Sequence, residues 1–128
     1  MDLSQTLIST LGIEIVEVSE GKVVATMPVD QRTRQPMGLL HGGASVALAE
    51  TVASLGGYSM VDEGREAVVG LEINANHLKS KKEGVVTATG NIIHRGKKTM
   101  VWEIRITDEE DDLICISRCT LAVIQIKK

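Results

Sequence analysis

The stretch that decides the fold is residues 39–58, Leu-Leu-His-Gly-Gly-Ala-Ser-Val-Ala-Leu-Ala-Glu-Thr-Val-Ala-Ser-Leu-Gly-Gly-Tyr. Nearly all of its residues are small or apolar, which predicts a helix from about residue 43 to residue 60 that is hydrophobic nearly all round and therefore buried. Glu50 is its only acid. A carboxylate in such a helix costs several kcal/mol unless it is paired, hydrogen-bonded or used. This makes Glu50 the first candidate for a catalytic residue.

The start of this helix has the features of an anion site. Gly42 and Gly43 allow a substrate to approach the backbone closely, and the free N–H groups of a helix start favour negative charge. Gln35, on the preceding loop, would add an amide donor. Ser54 follows Glu50 by four residues and therefore shares its helical face. Together with His41, these residues form the predicted catalytic constellation.

The rest of the chain predicts β-structure around the helix. Apolar alternation and turn residues indicate six strands and one short N-terminal helix. The fold class is therefore α+β, with one long helix against an antiparallel sheet. Because one sheet alone would not cover an apolar helix, we expect the sheet to curl round it and a partner subunit to help. The predicted short helix spans 3–11, and the predicted strands span 13–18, 22–29, 67–79, 85–94, 99–107 and 113–126.

Composition narrows the function classes. The 128 residues predict one domain, 1–128, with one core. A net charge of -3 and only two aromatic residues argue against nucleic-acid binding. The polar start and the interrupted apolar stretches predict a cytoplasmic protein without a membrane span. Cys115 and Cys119, four apart on one strand, are expected to be free buried thiols, and no spacing typical of a metal site is present.

One run of residues resembles a known family. Gln35-Pro36-Met37-Gly38-Leu39-Leu40-His41-Gly42-Gly43, followed by Glu50, is similar to the hotdog-fold acyl-CoA thioesterases. Within them it resembles the group of the Arthrobacter-type 4-hydroxybenzoyl-CoA thioesterase, which includes a 1,4-dihydroxy-2-naphthoyl-CoA thioesterase. The run from Gly70 to His77 matches that group as well. The resemblance extends from about Leu11 to Ile124 and implies a hotdog fold of about six strands round a central helix.

The resemblance also implies roles for individual residues. Glu50 would act as nucleophile or as general base on water, and the Gly42 N–H would polarise the thioester carbonyl. Gln35 would help to place that carbonyl, His41 would orient the thioester or the loop, and Ser54 would hold water or contact the acyl group. No cofactor or metal is implied. Further substrate contacts are expected from Gly43, Met37, Lys79, Lys81, Lys82, His94, Arg95 and Gly96.

The implied assembly is a homotetramer, a dimer of dimers, with each site at a dimer interface and acyl-CoA as the substrate. Other interpretations stay open at this point. Glu50 could be a structural carboxylate, His41 a helix cap, Ser54 a packing residue and the lysines solvated turn residues. His77 and His94 are by default core or interface histidines. A hotdog hydratase or dehydratase of hydroxyacyl thioesters, or a non-enzymatic acyl-CoA-binding module, would be the alternative functions.

Overall fold

The structure, a computed structural model, describes residues 2–126. It contains two helices and six strands in an order that follows the sequence prediction. The elements are α1 (Leu7–Thr10), β1 (Glu14–Ser19), β2 (Lys22–Val29), α2 (Gly42–Tyr58), β3 (Glu66–His77), β4 (Gly84–Arg95), β5 (Thr99–Thr107) and β6 (Leu113–Gln125).

The strands form one antiparallel sheet in the order β1-β2-β4-β5-β6-β3, so β1 and β3 are its edges. The predicted bounds of β2 and β5 are confirmed, and those of the other strands differ by one or two residues. The N-terminal helix is shorter than the predicted 3–11. Thr6 caps it by accepting from the Ser9 N–H, and Gln5, at φ 58, turns the chain away just before that cap.

Helix α2 packs against the inner face of the sheet and forms the core. Leu48 and Val52 on the helix are fully buried, as are Trp102 and Ile104 on β5. The indole of Trp102 lies directly against Gly56, where no side chain would fit. This close approach explains why the helix carries glycine and alanine on its covered face. The predicted antiparallel α+β fold, with a sheet wrapped on a central helix, is confirmed, and it is the hotdog architecture.

A single protomer covers only one face of α2. The buried helix residues are Ala44, Ser45, Leu48, Ala49, Val52, Ala53, Gly56 and Gly57. The opposite stripe stays partly accessible, and it includes Ala47, Glu50, Thr51, Ser54 and Leu55. Glu50 is therefore half-buried rather than enclosed within one chain. Coverage of this stripe by a partner subunit stays a prediction.

Candidate active site

The start of α2 is fixed by a side-chain cap. His41 is the N-cap residue, with extended backbone angles (φ -71, ψ 130), and its Nδ1 accepts the Gly43 N–H at 2.7 Å. Of the two amides predicted to bind an oxyanion, that of Gly43 is therefore already used. The Gly42 N–H has no acceptor among residues 2–126. Only Gly42 offers a free backbone donor here, which agrees with its place in the first turn of a helix.

The loop before α2 is held over the helix start by hydrogen bonds at both ends. The buried Thr33 hydroxyl donates to the Pro28 carbonyl at 2.7 Å, and the His41 N–H donates to the Thr33 carbonyl at 2.8 Å. Further along, the Leu40 N–H donates to the Lys81 carbonyl at 2.7 Å. The segment between these anchors carries Gln35, so the loop brings that side chain to the beginning of the helix.

Gln35 and Gly42 line one cavity of about 390 Å³, which we term the helix-start cavity. Its other lining residues include His77, Lys79 and Lys81. The Gln35 Oε1 accepts the Met37 N–H, while its side-chain nitrogen has no acceptor within residues 2–126. Gln35 therefore has an amide donor available in this cavity. Met37 itself is 80% exposed and does not line the cavity, and its contact with the substrate stays a prediction.

Sequence reasoning missed His77 as a site residue. It ends β3 and lies against Gly42, where a Cβ atom would be 3.0 Å from its Nε2. The side chain is exposed and lines the helix-start cavity. The available signal was the run from Gly70 to His77, which matched the family, but it gave no contact between β3 and the helix start.

Glu50 and Ser54 line a second cavity, of about 540 Å³, which we term the mid-helix cavity. The prediction that they share one helical face is confirmed by this placement. Within residues 2–126 no group donates a hydrogen bond to the Glu50 carboxylate and no cation pairs with it. Thr51 donates to the Ala47 carbonyl at 2.7 Å and leaves the carboxylate free. Thr51 and six largely apolar residues complete the lining: Leu7, Ile8, Ala47, Leu55, Tyr58 and Val68.

The two halves of the predicted constellation do not meet within one protomer. Gly42 and Glu50 lie eight residues apart on α2, which corresponds to about 12 Å along a helix axis. They also line different cavities. His41 and Gly43 border a third cavity, beside Arg32 and Arg34. A single carbonyl therefore cannot contact the Gly42 N–H and the Glu50 carboxylate of the same chain.

The lysines predicted to contact the nucleotide are largely engaged with acids. Lys79 pairs with Asp108 at 3.1 Å and with Asp112 at 2.7 Å, and Lys81 pairs with Glu109. The hydrogen bonds that each lysine donates to these carboxylates raise its pKa. These ion pairs with the β5–β6 turn neutralise Lys79 and Lys81 within the protomer, and their contact with the nucleotide stays a prediction. The exposed Lys82 makes no such ion pair within residues 2–126.

The second predicted basic group lies at the other end of α2. Arg95 donates from Nη2 to the Met60 carbonyl at 2.6 Å, just beyond the helix C-terminus. His94 and Gly96 flank it, and the His94 ring lies close to Gly96. The two predicted basic groups, in 79–82 and in 94–96, therefore lie on separate surfaces of a protomer.

The cysteines do not supply a nucleophile. Both are free and buried, as predicted. Burial, together with the smaller effects of the negative charges of Glu50 and Glu72, raises the pKa of the Cys119 thiol to about 11. Cys119 therefore stays protonated near neutral pH. Within the described chain, no three His, Cys, Asp or Glu side chains are grouped to hold a metal ion. Among residues 2–126, none of the helices has the length and apolar character needed to span a membrane.

Comparison with known proteins identifies the class. The family model described as "Thioesterase superfamily" matches residues 37–115, more than half of the chain. The 1,4-dihydroxy-2-naphthoyl-CoA hydrolase of Listeria monocytogenes is 59% identical over 114 residues, covering 89% of this chain and 92% of that protein. The proofreading thioesterase EntH of Cronobacter turicensis is 47% identical over 118 residues, 92% of this chain and 85% of its own length.

A solved structure gives the same result. The thioesterase from Haemophilus influenzae superposes with a TM-score of 0.94 and 52% sequence identity, covering 98% of this chain and 87% of that one. The chain belongs to the thioesterase superfamily. It is an enzyme, a thioester hydrolase, and the resemblance found from residues 35–43 and Glu50 is confirmed. The non-enzymatic binding module is thereby set aside.

Proposed function

We propose that this enzyme hydrolyses the thioester of an aromatic acyl-CoA, with Glu50 as nucleophile or general base and the Gly42 N–H as the oxyanion donor. The observation that carries the proposal is the unpaired carboxylate of Glu50 in a mostly apolar cavity. A structural carboxylate at such a position would be expected to have a cation or several N–H donors, because desolvation is costly. None is present within residues 2–126, which favours a chemical role.

The mid-helix cavity supports an acyl group of moderate size. Its volume of about 540 Å³ falls within the usual range for small-molecule sites. Leu7, Leu55 and Val68 supply aliphatic surface, Tyr58 supplies one ring, and Ser54 supplies a hydroxyl beside Glu50. Such walls suit a flat apolar ring that carries a few polar groups. The name of the Listeria relative, a dihydroxynaphthoyl-CoA hydrolase, agrees with this class of substrate.

The site that we propose uses two chains. Because Gly42 and Glu50 of one protomer are about 12 Å apart along the helix, a carbonyl held at Gly42 needs a carboxylate from a partner. Gln35 and Gly42 of one subunit would thus face Glu50 and Ser54 of the next. This arrangement agrees with the interface site that the family resemblance implies. It would also cover the stripe of α2 that a single sheet leaves accessible. A homotetramer built from such dimers stays a prediction.

The proposed reaction consumes one water and releases a carboxylic acid and a thiol. As charge develops on the thioester oxygen, the Gly42 N–H and the Gln35 amide donate to it, which lowers the barrier. Glu50 either attacks the carbonyl carbon, giving a mixed anhydride that water then cleaves, or removes a proton from an attacking water. In both routes the carbon–sulfur bond breaks and the thiolate leaves. Unlabelled acid from a single turnover in heavy-oxygen water would identify direct attack.

For the nucleotide we propose contacts from the exposed Lys82 and from the 94–96 turn. Lys79 and Lys81 would take part only if phosphate displaced their acidic partners. Basic side chains on exposed loops suit phosphate oxygens.

The test is thiol release from a panel of benzoyl, hydroxybenzoyl, dihydroxynaphthoyl, hexanoyl and palmitoyl thioesters of CoA. Glu50→Ala and Glu50→Gln should each lose on the order of a hundredfold or more in kcat on the best substrate. Glu72→Gln is the matched control, since Glu72 is an exposed acid bonded to Asn74. Turnover that ignores Glu50 would overturn the mechanism. A preference for palmitoyl-CoA would overturn the aromatic substrate class.

A further inference from the structure

Gly70 on the edge strand β3 lies directly beneath the Glu50 carboxylate. A Cβ atom built on Gly70 would lie 2.5 Å from the Glu50 Oε2 and 3.5 Å from its Cδ. Cβ atoms essentially never come within 3.0 Å of another heavy atom, so any side chain at position 70 would displace the carboxylate. The Glu50 carboxylate therefore occupies the space that a side chain at position 70 would fill.

The backbone of β3 does not itself require glycine at this position. Positive φ angles occur at Gly12, Gly21, Gly38, Gly64 and Gly84, and Gly70 is not one of these. The register of β3 against β6 shifts between Gly70 and Glu72, which marks a bulge. The bulge type that demands glycine uses a positive φ, so the bulge does not explain Gly70. The close approach of the Glu50 carboxylate does explain why position 70 is glycine.

The bulge also determines which side chains lie near the helix. Before it, Val68 packs against the core, and after it Ile73 and Ala75 do so. Leu71 is the extra residue and is 61% exposed, while Glu72 is turned to solvent and accepts from the Asn74 amide. Without this shift in register, Glu72 would share the face of Gly70. The bulge thus places the Glu72 side chain on the face of β3 opposite to that of Gly70.

We propose that Gly70 is a positioning residue for the reaction: its missing side chain allows the Glu50 carboxylate to lie against β3 in the place where it acts on the thioester. This inference rests on the proposed role of Glu50. The carboxylate is the end of a flexible side chain that is half-buried in the protomer. An added methyl group at position 70 would therefore be accommodated by a turn of that side chain. We therefore expect a variant with this methyl group to keep its fold but to hold the Glu50 carboxylate in a different position.

The first experiment compares Gly70→Ala with the wild type. We expect kcat to fall by about tenfold to a hundredfold, as a displacement of the order of 1 Å can cause, with KM little changed. The melting temperature should stay within about 2 °C, because the carboxylate moves at small cost. Gly90→Ala is the counterpart on β4, where the new methyl group meets the buried Val52 instead of Glu50. It should lower the melting temperature and keep the kcat of the folded enzyme.

The second experiment couples the two positions. Glu50→Asp shortens the side chain by one methylene and withdraws the carboxylate from Gly70. The Gly70→Ala substitution should then change kcat by less than about threefold in the Glu50→Asp background, which is a non-additive result. Equal losses in both backgrounds, an unchanged kcat in Gly70→Ala, or failure of Gly70→Ala to fold would each overturn the inference. Failure of the proposed function has a different signature, namely a Glu50→Ala enzyme that keeps its activity.

Discussion

The helix-start cavity and the mid-helix cavity differ in what they can do to a thioester. The helix-start cavity offers donors, namely the Gly42 N–H and the side-chain nitrogen of Gln35, beside His77. The mid-helix cavity offers an unpaired carboxylate, Glu50, among aliphatic side chains. One can stabilise negative charge, and the other can supply an attacking group and a wall for the acyl chain. Neither has both.

The same helix carries both halves, and its geometry keeps them apart. Eight residues of α-helix fix a separation of about 12 Å that no side-chain rotation removes. Two copies of the helix, arranged so that the start of one faces the middle of the other, would bring the halves together twice. A rigid element that cannot complete a site alone can therefore complete two sites as a symmetric pair.

The largest expected effect on kcat comes from removing the Gly42 N–H, and a second substitution at the same position tests whether an added side chain alone has this effect. Gly42→Pro removes the donor, and we expect kcat to fall by about a hundredfold to a thousandfold. Proline is well tolerated in the first helical position, and His41 already has the extended ψ of 130 that a following proline needs. Gly42→Ala is the control, because it adds the same Cβ beside His77 but keeps the N–H. Equal losses in both variants would contradict the oxyanion role.

Mixing inactive variants extends this prediction to the subunits. If each site takes Gly42 from one chain and Glu50 from the other, hybrids of Gly42→Pro and Glu50→Ala contain one intact site. Random exchange should restore about a quarter of the wild-type activity, measured as thiol release after joint refolding. If both groups acted within one chain, the mixture would stay as inactive as its components. That result would contradict a site that takes Gly42 from one chain and Glu50 from the other.

A smaller effect is expected at the cap of α2. His41→Ala removes the acceptor of the Gly43 N–H and should lower the free energy of unfolding by about 1 kcal/mol. His41→Asn keeps a side-chain acceptor and should retain most of that stability. Urea unfolding of the three proteins measures the difference. An unchanged His41→Ala midpoint would show that the cap contributes nothing and would leave a direct catalytic role as the reason for His41.

The smallest expected effect concerns the acidic turn beside the helix-start cavity. The hydrogen bond from Lys81, with one from the Val85 N–H, lowers the pKa of Glu109 to about 2. Its stabilising contribution is therefore present above the ordinary value of 4.5 and is lost as the pH falls from there toward 2. Glu109→Gln should flatten the acid side of a stability profile in that window. Glu110→Gln, at a neighbour without an ion pair among residues 2–126, should leave the slope unchanged.

Local sequence signals predicted the elements well where they were regular. The alternating β2 and β5 have the bounds that the sequence indicated, and Glu50 stood out because an acid is rare in an apolar helix. The bulge in β3 was missed, since one extra residue changes the pairing without changing the composition. The pairs of Lys79 and Lys81 with the 108–112 turn were missed because their partners are 28 to 33 residues away.

By itself, the sequence determined the α+β fold, the family and the two residues most important to the proposal, Gly42 and Glu50. Periodicity, turn residues and an unusual charge are local properties, so they can be found along the chain. Only the tertiary structure decided which amide is free, that His77 lies against Gly42 and that Glu50 lies over Gly70. These contacts join segments far apart in sequence, and they depend on strand register and on the loop that covers the helix start.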